Sequence, residues 1–193
     1  ASAILLVAPL TASAATVRLD ELDLTAMTTG WGQPRANQSV TQKPLSIGSA
    51  KFDRGVGTHA YSECVIALDG RAKWFSAKVG VDDNANNDKA SLEFIILGDG
   101  RELWKSGTCR WQQPVRDCRV DLTGVKSLEL VVTDADDGSG WDHADWAEAS
   151  FEFDGVAPKS MQPEPVSEEF TVLTPPPPPQ PRLNGPRVYG VRP

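Results

Sequence analysis

Five aspartates, two tryptophans and a histidine fall within Thr133–Ala147, T-D-A-D-D-G-S-G-W-D-H-A-D-W-A. Side chains of these types at this density can do three things. A pair of carboxylates about 5–9.5 Å apart can hydrolyse a glycosidic bond, Asp136 and Asp145 being the candidate pair. Clustered oxygens can ligate calcium, which takes six to eight of them. Acids beside an aromatic ring can instead recognise a polar ligand without cutting it.

Hydrolysis is the weakest of the three, because five clustered aspartates always contain some pair. A hydrolase also needs a cleft that excludes water and raises one acid's pKa, and loop residues at the edge of a small domain supply that poorly. No G-x-S-x-G, H-E-x-x-H or phosphate-binding loop occurs. For calcium, D-D-N-A-N-N-D offers Asp82, Asp83, Asn84 and Asp88, and Asp134–Asp142 is a second dense run. Neither fits the EF-hand spacing, and solvated acids that end strands are the competing reading of both. The composition argues against zinc, since two histidines and three scattered cysteines give no ligand spacing. No cofactor is required.

The elements that must hold these residues are strands. Short apolar segments such as E-C-V-I-A-L, W-F-S-A-K-V-G-V, S-L-E-F-I-I-L and S-L-E-L-V-V-T alternate with turns at Asp69-Gly70, Asp99-Gly100 and Thr123-Gly124. About nine such segments, with no helical period, predict an all-β, antiparallel β-sandwich of jelly-roll type. Thr16–Leu24 reads as its first strand, and the glycine-rich stretch around Trp31 as a loop. Trp31 there is either a plug on the core or an exposed stacking surface. Trp146 reads as core.

The ends differ in kind. Residues 1–14 are uncharged and apolar and finish in Ala12-Ser13-Ala14, the pattern of a truncated signal peptide and hence of a secreted protein. Residues 15–155 form the expected domain. Eleven of the fifteen prolines lie in residues 156–193, which predicts a semi-rigid linker leading to a further domain. That tail carries four basic residues against three glutamates, so the net charge of −7 becomes −8 without it. Such acidity argues against nucleic acid and against an anionic membrane surface. Export makes disulfides feasible: Cys109 and Cys118 flank a turn-like R-W-Q-Q-P-V-R-D and could pair across a hairpin, while Cys64 reads as a buried thiol.

Five strings in order, G-V-G-T-H-A (55–60), V-G-V-D-D (79–83), L-G-D-G (97–100), L-V-V-T-D-A-D-D-G (130–138) and D-H-A-D-W-A (142–147), make residues 16–154 resemble the NPCBM domain, also called carbohydrate-binding module family 51. The resemblance implies a galactose-binding-like sandwich, with which a structural calcium is consistent. It also implies attachment to secreted glycoside hydrolases and, in several members, recognition of terminal galactose. The last dozen residues resemble the region before the next domain in α-galactosidases that carry this module. On that reading Trp31, Asn37, His59, Asp136, Trp141, His143 and Asp145 are the carbohydrate-binding candidates. Trp31 or Trp141 would stack on the pyranose, and His59 with an acid would read its hydroxyls. His59 has a plainer alternative as a structural imidazole bonded to neighbouring backbone. The partners implied are terminal galactose-type glycans and a covalently tethered catalytic domain. The alternatives are a structural sandwich that packs on a catalytic domain, and a small glycosidase using paired Asp.

Overall fold

A computed structural model describes residues 14–162 of the 193-residue chain. The expected signal segment, save its last residue, and most of the proline-rich tail lie outside them. In chain order the strands are β1 (Ala15–Arg18), β2 (Arg35–Ala36), β3 (Leu45–Ile47), β4 (Ala50–Phe52), β5 (Gly55–His59), β6 (Ser62–Ala67) and β7 (Ala72–Val81), then β8 (Ser91–Gly98), β9 (Arg101–Lys105), β10 (Cys109–Arg110), β11 (Arg116–Asp121), β12 (Ser127–Thr133), β13 (His143–Phe153) and β14 (Lys159–Met161). Only three-residue 3-10 turns, such as Asp83–Ala85, interrupt them.

One sheet runs β11-β7-β13-β5-β2, with β1 also on β13; the other runs β10-β8-β12-β6-β14, with β9 also on β8; β3 and β4 form a separate hairpin. Every named pairing is antiparallel. The all-β sandwich is therefore as expected. Alternation along the strands explains it: β12 buries Leu128, Leu130 and Val132 and turns Glu129 and Val131 outward. Rings from both sheets meet in the centre, where Phe94 of β8 sits edge-on to Trp146 of β13 at 4.8 Å, and Phe75 of β7 touches Phe151 at 4.8 Å. Trp146 is fully buried, as its apolar setting predicts.

Several expectations need correction. Thr16–Leu24 is a strand only to Arg18; Leu19–Glu21 and Leu24–Ala26 are single 3-10 turns. The sandwich also runs past residue 155, because Lys159–Met161 adds an edge strand to β6 and the Ser160 hydroxyl donates to the Asp23 carbonyl at 2.6 Å. The Cys109–Cys118 hairpin does not form. Cys109 pairs with β8 and Cys118 with β7, so the two lie in opposite sheets. All three thiols are free and buried.

Candidate functional site

The second half of the acidic stretch is not a loop. β13 begins at His143, directly opposite His59 at the end of β5. Cross-strand neighbours on one face of a sheet lie within contact distance, and the two imidazole centroids are 5.5 Å apart. The Gly30–Trp31 loop then lays its indole over both rings. Trp31 is parallel to His143 within 9° at 5.8 Å and tilted to His59 at the same distance. Glycine at position 30 permits this approach, because a Cβ there would strike the backbone of Ala60 and Tyr61.

Trp141 faces the group from the loop between β12 and β13, in a left-handed conformation (φ 73°) that a bulky residue seldom adopts unless held. It is held on both sides. Asp142 is fully buried; its Oδ1 accepts from the Ser91 N–H at 3.0 Å, and its carbonyl accepts from the Ala60 N–H at 3.1 Å. The His143 N–H donates to the Trp141 carbonyl at 2.7 Å. Upstream in that loop, Asp134 accepts from the Asp136 N–H at 3.1 Å and from the Tyr61 hydroxyl, a bond that pushes the phenol up to about 12.

Trp31, His59, Trp141 and His143 thus line one cavity of about 600 Å³, together with Gly30, Thr41, Asn84, Ser139 and Gly140. Both indoles are a little over half exposed, while both histidines are 6% exposed. The His59 Nδ1 lies 2.6 Å from the Ala60 carbonyl. A carbonyl only accepts, so Nδ1 carries the proton and Nε2 keeps a lone pair. The structural and the functional reading of His59 therefore coexist: one nitrogen fixes the ring and the other is spare. The His143 Nδ1 is buried with no partner. Burial holds both imidazoles below their ordinary pKa, helped at His143 by the nearby His59. At neutral pH the cavity floor is uncharged.

The remaining candidates go elsewhere. Asn37 is a turn residue (φ 60°) whose Oδ1 accepts from the Gly55 N–H at 3.1 Å and whose N–H bonds the Gly55 carbonyl. It braces β5 and does not line the cavity. Asp136 is an exposed turn residue, also at positive φ. Asp145 points beneath the site, fully buried against Asp82. Neither of its oxygens has a hydrogen-bond partner. Burial, then the Asp82 charge, keeps its carboxyl well above the usual range. Asp136 and Asp145 consequently share no cleft, and the two-carboxylate hydrolase has no site here.

The calcium candidates are also engaged. Asp82 accepts from the Asn84 N–H and side-chain amide at 2.8 Å and from the Ser46 N–H at 3.2 Å. Asp83 accepts from the Ser49 N–H at 2.9 Å, and Asp88 is exposed. Among the described residues no three His, Cys, Asp or Glu side chains converge on a point that could hold a metal. These donors fit turn closure better than a cation cage. Asn84, sought as a metal ligand, lines the aromatic cavity. Thr41, Ser139 and Gly140 gave no sequence signal beyond loop composition.

A family model described as NPCBM/NEW2 domain matches residues 15–152. The CBM51 of Clostridium perfringens GH95, solved in complex with methyl-galactose, is 30% identical with a TM-score of 0.65, over 71% of this chain and 99% of that one. The CBM51-2 and INT domains of C. perfringens ZmpB, solved with GlcNAc, are 32% identical with a TM-score of 0.67, over 72% of this chain and 32% of theirs. Alpha-1,3-galactosidase B of Akkermansia muciniphila is 30% identical over 128 residues, 64% of this chain. That match spans 16% of the relative's length, and another curated relative is spanned over only 9%.

Proposed function

Because the chain belongs to the NPCBM/NEW2 domain family, we propose that it is a non-catalytic carbohydrate-binding module whose Trp31–His59–Trp141–His143 cavity takes a terminal galactose-type sugar. The observation that carries this is the combination of two half-exposed indoles with an uncharged floor bearing a spare imidazole nitrogen on His59. An indole face packs on the C–H face of a pyranose. A hydroxyl stripped of water costs about 1–3 kcal/mol unless it finds a partner, which the His59 Nε2 can supply. The complexes of similar domains with methyl-galactose and with GlcNAc support a sugar of this size.

The module would be secreted and would hold a glycoside hydrolase, joined through the proline-rich tail, near its glycan. Tethering raises local substrate concentration within the linker's reach and adds no chemistry. Among the described residues no helix is long and apolar enough to cross a membrane.

Isothermal titration of the 193-residue chain with methyl-galactoside and with N-acetylglucosamine tests the reading. A dissociation constant on the order of 0.1–1 mM is expected for one of them, since a single sugar buries little area. Trp31→Ala and His59→Ala should each weaken it at least tenfold while circular dichroism stays native. Full affinity in both folded variants would put the site elsewhere; no binding to any sugar would favour a purely structural sandwich.

A further inference from the structure

The loop that ends in Trp141 has a second side. A cavity of about 540 Å³ abuts the first, and Ser139, Gly140 and Trp141 line both. Its remaining lining is Lys89, Arg110, Asp137 and Gly138. The first cavity is uncharged apart from its titratable imidazoles; this one brings two cations together from separate elements. Arg110 lies in β10, opposite Ser91, and Lys89 lies two residues before Ser91 in the preceding loop. Both are exposed, and neither is within 4.0 Å of a carboxylate oxygen among the described residues.

Without its tail the chain carries a net charge of −8, yet this cavity brings two cations together with a single acid. The one acid in the second cavity, Asp137, accepts from the Ser91 hydroxyl at 2.6 Å, and the two cations outnumber it. Trp141 stands between the two cavities, half exposed. A sugar stacked in the first would direct its next residue across that ring toward Lys89 and Arg110.

We propose that the second cavity is a subsite for an anionic sugar residue, bearing a sulfate ester or a carboxylate, next to the terminal sugar held by the first. This rests on the sugar-binding reading above and narrows its ligand to an oligosaccharide with an acidic penultimate residue. Lys89 and Arg110 supply the charge complementarity; Trp141 serves both residues of the glycan.

The test titrates the 193-residue chain with three disaccharides: galactosyl-N-acetylglucosamine, its form sulfated at O6 of the N-acetylglucosamine, and galactosyl-glucuronic acid. At low ionic strength one anionic ligand should bind about five- to tenfold tighter than the neutral one, two exposed ion pairs being worth that much. Which one it is separates sulfate from carboxylate. The preference should vanish in Lys89→Gln/Arg110→Gln and shrink in high salt, while affinity for the neutral disaccharide holds. Equal binding of all three, or a preference that survives in the double variant, overturns the subsite and leaves the sugar site intact. No binding of any disaccharide sinks both.

Discussion

Asp142→Asn should make the protein more stable at pH 8 and leave it nearly unchanged at pH 4. The carboxyl is fully buried, its Oδ1 is taken by the Ser91 N–H and its Oδ2 has no partner. Burial, with the charges of Asp137 and Asp134 adding to it, pushes its pKa from 3.8 to about 7. Between those values the folded chain keeps a proton that the unfolded chain has lost, so stability falls as pH rises through the window and levels off above about 7. At about 1.4 kcal/mol per unit, the full window of roughly three units is worth at most about 4 kcal/mol. Asparagine keeps the acceptor for Ser91 and never ionises, so it escapes this loss. Thermal melts of both proteins at pH 4, 6 and 8 should therefore diverge as pH rises, reaching at most about 8–16 °C at pH 8, taking 2–4 °C per kcal/mol for a domain of this size. The difference between the two curves cancels the other titrating groups, His59 and His143 among them. If the curves run parallel from pH 4 to pH 8, Asp142 is not the buried acid described here.

The same histidines give sugar affinity its own pH dependence. Burial holds both below their ordinary 6.5, and protonation would fill the His59 Nε2 that a hydroxyl needs; titration should show constant affinity above pH 6.5 and a decline on further acidification, and a rise instead would count against hydroxyl recognition by imidazole. Gly30→Ala should cost about 1–3 kcal/mol, because its Cβ meets rigid backbone, and should weaken sugar binding more than tenfold by displacing Trp31; native affinity in a folded variant would disprove that coupling. The three cysteines should ignore thiol reagents until the chain is unfolded, then react in full. Burial pushes Cys64 and Cys118 up to about 12, and reducing agent should leave the melting temperature where it was; a shift would reveal a disulfide.

What was legible in the sequence was what alternation and residue type control. The sandwich follows from strands such as S-L-E-L-V-V-T, whose in-out pattern survives intact, and Trp146 declared itself core by its position inside such a pattern. What was not legible was which sheet each strand joins. Nothing local in R-W-Q-Q-P-V-R-D distinguishes a hairpin from a crossing between sheets, so Cys109 and Cys118 looked like partners when the chain was carrying them apart. The same gap hid β14, three residues too few and too polar to show a period.

The site divides along the same line. Trp31, His59, Trp141 and His143 could be named as rare polar-aromatic types in loop-rich stretches, but their meeting depends on β5 and β13 being neighbours with His59 opposite His143, a fact of register. The aspartates misled for the opposite reason: a carboxylate is the same symbol in the sequence whether it faces a ligand or closes a turn. In the structure the backbone claims them. Asp82 and Asp83 accept N–H groups from the β3–β4 hairpin, Asp134 caps its own turn, and Asp142 anchors the loop to β8. Part of their density therefore reflects the work of holding Trp141 in an unfavourable backbone path, and the chemistry they seemed to promise passes to the aromatic residues they hold in place.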